Sequence, residues 1–237
     1  MWAVVPLKPF AQAKQRLADV LSATERAALM QAMATDVLSA LASTKGLQGL
    51  LLVSREPQAA AIARQWGAQL YQEPAGADLS AAVQNAGGLL MNQHQATGTL
   101  ILPADIPLAT ASELAALIDT HQQQQRALTL VPDSRSQGTN CILSTPPNLI
   151  RYQFDGQSFR PHLDAAYGIG VTPCVSPSPD LSLDIDDVRD LQALLHRARD
   201  CHTRDYLDRS GIAERLLTGT AGSAGAPPGN HLAGQHH

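Results

Sequence analysis

Cysteine is scarce in this chain. Its three thiols, Cys141, Cys174 and Cys201, form no CxxC pair and no metal-ligand spacing. An odd, sparse set of this kind reads as reduced and cytosolic, with core packing as the default role. Aromatic residues make up 4% of the 237 positions against 44% hydrophobic overall. The core is therefore mainly aliphatic, and the length suits one α/β domain. No stretch approaches ~18 consecutive apolar residues, and Pro6, Lys8 and Pro9 interrupt the N-terminal segment, so neither a membrane span nor a signal peptide is expected. Massed positive charge is also missing. The 17 Lys and Arg residues are dispersed and the formal net charge is -4, which argues against nucleic acid as the main partner. No Ser-His-Asp order or Cys-His set stands out, so a covalent nucleophile is not expected. There is no internal repeat.

Strands and helices alternate through most of the chain. Trp2–Pro6, Gly49–Ser54, Ala68–Tyr71, Thr99–Leu102 and Ala127–Pro132 are short apolar or β-rich runs bounded by turn residues, and they read as strands. Ser22-Ala-Thr-Glu25 is a capping box opening a helix to about Leu41, with Leu29, Met33, Val37 and Leu41 on its packed face. Pro57–Gln65 is a short helix closed by Gly67, and Leu79–Met91 is a helix weakened by Gly87-Gly88. Thr110-Ala-Ser-Glu113 is a second capping box, and its helix decays into the Gln122–Gln125 run as a solvated end. This alternation predicts an α/β fold: a mostly parallel sheet with helices on both faces. Beyond Asp133 the rhythm changes. A polar turn leads to Cys141–Ser144, a short helix lies near Leu163–Tyr167, and Leu181–Asp187 reads as a last strand running into a helix to about Arg199. Thr203–Leu217 could add one amphipathic helix. Residues 1–217 are expected to be one domain, and the Gly/Ala/Pro-rich residues 218–237 a disordered tail.

The chemistry gathers around Asp105. It follows the Thr99–Leu102 run at a strand end, where open α/β sheets bind their ligands. Taken alone it could equally cap a turn. Leu183-Asp184-Ile185-Asp186 puts two acids on alternate positions of a strand end, hence on one face, although Asp186 or Asp187 could instead cap the following helix. With Asp105 they form an oxygen set suited to a nucleotide-bound Mg²⁺. The loop after the first strand carries Lys8, Lys14 and Arg16 but no glycine, so it is not a Walker A loop. Its cations could offset charge on the α-phosphorus and a departing pyrophosphate. Three solvated cations on a surface loop are the plainer alternative.

Five pieces in order carry a resemblance: Val4-Val5-Pro6-Leu7-Lys8 with Ala13-Lys14-Gln15-Arg16-Leu17, Leu102-Pro103-Ala104-Asp105-Ile106-Pro107, Gly138-Thr139-Asn140, Ser158-Phe159-Arg160-Pro161-His162, and Leu183-Asp184-Ile185-Asp186. Together they resemble the 2-phospho-L-lactate guanylyltransferase family of coenzyme F-420 biosynthesis, over roughly residues 1–195. The wider group has the nucleotide-diphospho-sugar transferase-like fold. The resemblance implies a cytoplasmic enzyme that moves GMP from GTP onto the phosphate of a three-carbon phospho-acid, with release of pyrophosphate. It implies Mg²⁺ on Asp105, Asp184 and Asp186. The nucleotide would meet Pro6, Lys8, Lys14, Ser80 and Pro103, with Lys8, Lys14 and Arg16 in the catalytic role. Thr139, Asp155 and Ser158 would meet the acceptor. A homodimer is left open. Asp78-Leu79-Ser80 stands where the family usually has Gly-Leu-Asn, and Asp155 precedes Gly156 where a Phe-Gly start is usual. The added carboxylate leads us to expect 3-phosphoglycerate, which keeps a free hydroxyl, ahead of phosphoenolpyruvate or 2-phospho-L-lactate. The rival readings are another nucleotidyltransferase of this fold, of the molybdenum-cofactor type, and a nucleotide-binding module without catalysis.

Overall fold

Strand β1 (Trp2–Leu7) is buried from Ala3 to Leu7, as a strand covered on both faces must be. Its side chains alternate. Ala3, Val5 and Leu7 enter one core with Leu29, Met33, Val37 and Leu41 of helix α1 (Ala23–Ala42). Val4 enters a second core with Ala82, Val83, Ala86 and Leu90 of helix α3 (Leu79–His94). The period of two thus divides the domain into two apolar layers around one sheet. The computed structural model describes residues 1–74, 76, 78–121, 126–197 and 199–218. The glutamine run and residues 219–237 lie outside the described residues, whereas Thr218 ends a helix.

The other strands are β2 (Gly49–Ser54), β3 (Gln69–Tyr71), β4 (Thr99–Ile101), β5 (Ala127–Pro132), β6 (Thr139–Thr145) and β7 (Cys174–Val175). Their order is β3-β2-β1-β4-β6-β5-β7. All neighbours are parallel except those of β6, which runs antiparallel to both β4 and β5. The mostly parallel sheet is therefore as expected. The reversed β6 was not foreseen, because a continuous apolar run carries no direction.

Helices α2 (Ala59–Gln65), α4 (Ala111–His121), α5 (Phe159–Gly168), α6 (Val188–Leu195), α7 (His202–Arg209) and α8 (Ile212–Thr218) complete the fold. The Ser22 box closes with both bonds, Glu25 N to Ser22 Oγ at 3.2 Å and Ser22 N to Glu25 Oε2 at 2.8 Å. Only half of the Thr110 box forms: Glu113 N reaches Thr110 Oγ1 at 3.2 Å, while the Glu113 carboxylate accepts from Ser178 Oγ. The predicted strand at Leu181–Asp187 is not one. Residues 183–186 are irregular, tied to the Asp105 segment by one backbone bond, Ile185 N to Asp105 O at 3.1 Å. The following helix stops at Leu195, short of Arg199. The predicted single helix at Thr203–Leu217 is two, because Gly211 turns the chain with φ +72°, a conformation glycine adopts freely. Gly87, disfavoured inside α3, has a packing reason: a Cβ there would lie 2.2 Å from Asn148 Oδ1.

Candidate active site

The basic loop leaves β1 and folds as two short 3₁₀ turns, Phe10–Gln12 and Gln15–Leu17. Between them Lys14 takes a left-handed backbone, φ 53° and ψ 44°. That is costly for a residue with a Cβ. Leu17 N to Lys14 O at 3.0 Å and Phe10 N to Glu56 Oε2 at 2.7 Å hold the loop in place. The Lys14 side chain is turned inward and is only 6% exposed. Its Nζ donates to Asp105 Oδ2 at 2.6 Å and to Asp186 Oδ1 at 3.0 Å. Arg16, on the rim, lies 3.6 Å from the other oxygen of Asp186.

The acids have their own supports. Asn140 at the start of β6 donates Nδ2 to Asp184 Oδ1 at 3.2 Å and to Leu181 O at 3.0 Å. Asp190, in the first turn of α6, accepts from Asp186 N at 2.9 Å and Asp187 N at 2.8 Å. Burial, with the Asp105 charge beside it, pushes Asp184 up to about 6 despite the Asn140 bond. Burial also acts to raise Asp186, but Lys14, then Arg16 and Lys8, hold it below the usual carboxylate range. For Lys14 the pull of burial is outweighed by Asp105 and Asp186, and the ammonium is pushed up to about 12.

A cleft of about 720 Å³ opens here, large enough for a nucleotide with a small second substrate. Its wall runs from Lys8 and Lys14 past Pro103 and Asp105 to Thr139 and Ser158, and it includes Pro6, Arg16, Asp155, Asp184 and Asp186. The predicted residues are thus brought together with one exception. Ser80 is not on the wall; its Oγ accepts from Phe154 N at 2.9 Å and ties the start of α3 to the loop before Asp155. Asp155 is exposed, and its Oδ1 accepts from Gln157 N at 3.1 Å within its own turn. Thr139 N donates to Ser158 Oγ at 2.9 Å, and Thr139 Oγ1 lies 3.0 Å from His162 Nδ1.

Several supports escaped the sequence reading. Asn140 and His162 stand inside motifs singled out above but had no role. Asp190 sits at a capping position, Asp187-x-x-Asp190, that could have been read. Asp133 is a turn organiser, accepting from the backbone N–H groups of Arg135, Gln137 and Gly138. Arg135 reaches the cleft wall and pairs with Asp187 at 2.9 Å.

Could this site hold a divalent metal? Among the described residues, no three His, Cys, Asp or Glu side chains stand at the spacing of a closed metal centre. Asp105 and Asp186 are held by the Lys14 ammonium instead. The donor set nevertheless fits Mg²⁺: hard carboxylate oxygens, partly buried, with more negative charge than one buried lysine balances.

A mostly parallel sheet with cations after its first strand, Asp105 beyond the end of β4, and Asp184 and Asp186 on the irregular segment bonded to it, has the arrangement of a nucleotidyltransferase. Solved structures agree on the fold. A Desulfovibrio desulfuricans protein assigned as a nucleotide-diphospho-sugar transferase superposes with TM-score 0.73 at 17% identity, over 90% of this chain and 96% of that one. A nucleotidyl transferase from Methanothermobacter thermautotrophicus gives 0.56 at 15%, over 88% and 98%. The family model described as guanylyl transferase CofC like matches residues 1–223, and the chain belongs to that family of guanylyltransferases. A phosphoenolpyruvate guanylyltransferase from Rubrobacter xylanophilus is 37% identical, over 82% of this chain and 93% of its own length. One from Conexibacter woesei is 33% identical, over 88% and 95%. A 2-phospho-L-lactate guanylyltransferase from Methanothermobacter thermautotrophicus is 29% identical, over 86% and 88%. Among the described residues, no helix is long and apolar enough to cross a membrane.

Proposed function

We propose that this enzyme transfers GMP from GTP to a phosphate oxygen of a three-carbon phospho-acid, in coenzyme F-420 biosynthesis. The observation that carries the reading is the Lys14 ammonium bonded at once to Asp105 and Asp186, which gathers the basic loop and the acids at one end of the cleft. Lys8, Lys14 and Arg16 meet the triphosphate oxygens, with Pro6 and Pro103 as walls. Asp105, Asp184 and Asp186 would hold Mg²⁺. Once bound, the ion would offset phosphate charge. An acceptor phosphate oxygen then bonds to the α-phosphorus of GTP, the bond to the bridging oxygen breaks, and pyrophosphate leaves. That attacking oxygen is already anionic at neutral pH, so the residues must position and neutralise rather than remove a proton. Thr139 and Ser158 supply hydroxyl donors to the acceptor.

The names of the relatives make phosphoenolpyruvate and 2-phospho-L-lactate the first acceptors to try, with 3-phosphoglycerate beside them. The test is pyrophosphate release from GTP, ATP, CTP and UTP, each with the three acids and Mg²⁺, the ion being replaced by chelator in a control. GTP with at least one acid should release pyrophosphate, and chelator should stop it. Preference for another nucleotide, or no release with any acid, overturns the reading.

A further inference from the structure

The reaction just described does not use His162, yet this side chain on α5 is fully buried directly behind Thr139. Its two ring nitrogens face different groups. Nε2 lies 3.0 Å from the backbone N of Gln153, and Nδ1 lies 3.0 Å from Thr139 Oγ1. A backbone N–H can only donate, so Nε2 must keep its lone pair. The ring therefore carries its single proton on Nδ1, and Nδ1–H donates to the Thr139 hydroxyl oxygen. A protonated imidazolium would turn a second donor on the Gln153 amide. The surroundings also disfavour it: Tyr152 and Phe154 stand edge-on to the ring, with centroids 6.3 and 5.4 Å away. Burial holds the imidazole down to about 4, the Asp155 charge opposing only in part.

The consequence falls on Thr139. Its oxygen has accepted from His162, and among the described residues no protein oxygen takes its own proton. Ser158 is set the same way, because its Oγ accepts the Thr139 N–H and its proton is left over. Both residues are on the cleft wall. We propose that His162 is a positioning residue for the acceptor. As the Nδ1–H tautomer it fills the inward lone pair of Thr139 and commits the hydroxyl proton to an anion in the cleft. The opposite tautomer would draw that proton inward and present lone pairs to the anion, which repels it. This rests on the reading that Thr139 and Ser158 receive the acceptor.

Two measurements test it, using whichever of phosphoenolpyruvate, 2-phospho-L-lactate and 3-phosphoglycerate turns over. Long-range ¹H–¹⁵N spectra of the wild type should show Nδ1 protonated and Nε2 bare; an Nε2–H tautomer overturns the proposal. In His162→Phe the acceptor KM should rise about tenfold while the GTP KM stays within about twofold. His162→Asn keeps an N–H near the Nδ1 position and should recover most of the loss. A normal acceptor KM in His162→Phe, with a raised one in Thr139→Ala, overturns the role of His162. Unchanged acceptor KM in both Thr139→Ala and Ser158→Ala instead overturns the underlying reading. Should His162→Phe lose its fold by circular dichroism, the tautomer and the Asn variant decide.

Discussion

The two ends of the cleft are held together by different forces. At the Lys14 end the groups are charged, and most are fixed by opposite charges: Lys14 by Asp105 and Asp186, Asp186 also by Arg16, while Asp184 rests on the Asn140 amide. At the Thr139 end they are neutral, fixed by backbone amides and one imidazole. A ligand that brings its own charges can exchange partners with the first set, since phosphates and a metal replace one another's counter-charges. It cannot rearrange the second without leaving buried polar groups unpaired. The first end is therefore built to respond and the second to stay preorganised.

The largest expected effect breaks the charged end. Asp105→Asn keeps the shape but removes the charge of the nearer partner of Lys14, which is also one of the carboxylates proposed to hold Mg²⁺. We expect pyrophosphate release to fall about 10³-fold, with the melting temperature within a few degrees of the wild type. Turnover within tenfold of the wild type would show that Asp105 is not part of the metal set.

Lys14→Met separates ligand binding from self-neutralisation. Turnover should fall about 10²-fold, as for loss of one preorganised cation. In the nucleotide-free protein the same change leaves Asp105, Asp184 and Asp186 facing each other with no buried cation between them. Its melting temperature should drop below that of the wild type, and MgCl₂ should restore it more in the variant than in the wild type. An equal response to MgCl₂ in both proteins would mean that Lys14 and the metal do not share a site.

Acid should act with opposite sign on two buried histidines, His162 behind the neutral end and His121 away from the cleft, and on the charged end. His162, and His121 between Thr129 and Thr145, are both held down to about 4 by burial. Between pH 6.5 and 4 the unfolded chain binds protons that the native chain refuses. The stability from each histidine is thus complete above the unfolded value and lost as pH falls, by about 2 kcal/mol each at pH 5. Asp184 runs the other way. Its native carboxyl, raised to about 6, takes up a proton before the unfolded one does, so acidification from pH 7 relieves it. Urea titrations at pH 7 and pH 5 should show a net loss, and the loss should be larger in Asp184→Asn, which lacks the offset. Equal losses in the two proteins would remove Asp184 from the account.

The same contrast explains how much could be read from the chain. The charged end was legible, because three of the five resembling segments place a lysine or an acid beside an apolar run, and all five keep their order. The sheet was legible too, through alternation and β-rich runs. What failed depended on partners distant in sequence. Residues 183–186 are held by the Ile185 N bond to the Asp105 carbonyl and by the Asn140, Asp190 and Lys14 side chains rather than by a strand ladder. Ser80 fits the pattern of a nucleotide contact but lies off the cleft wall, with its Oγ accepting from Phe154 N. The proton on His162 is decided by a backbone amide in an irregular loop. Neutral hydrogen-bond networks leave only a faint trace in composition, so the preorganised end had to be seen in three dimensions.

Asp155 gives the smallest expected effect and the sharpest test of where the acceptor end stops. From its position beside the serine motif it was expected to read a free hydroxyl and so to favour 3-phosphoglycerate. In the structure it is exposed at the rim, and one carboxylate oxygen already accepts the Gln157 amide within its own turn. A group in water gains little by exchanging a water for a substrate hydroxyl. The residue that follows, Gly156, has φ +88°, so the turn already contains one permissive position, and Asp155→Gly loosens it further at a modest entropic cost. We therefore expect kcat/KM for the three acids to shift by less than about threefold in this variant, with their ranking unchanged. A selective loss for 3-phosphoglycerate of tenfold or more would extend the preorganised end to Asp155 and restore its role in choosing the acceptor.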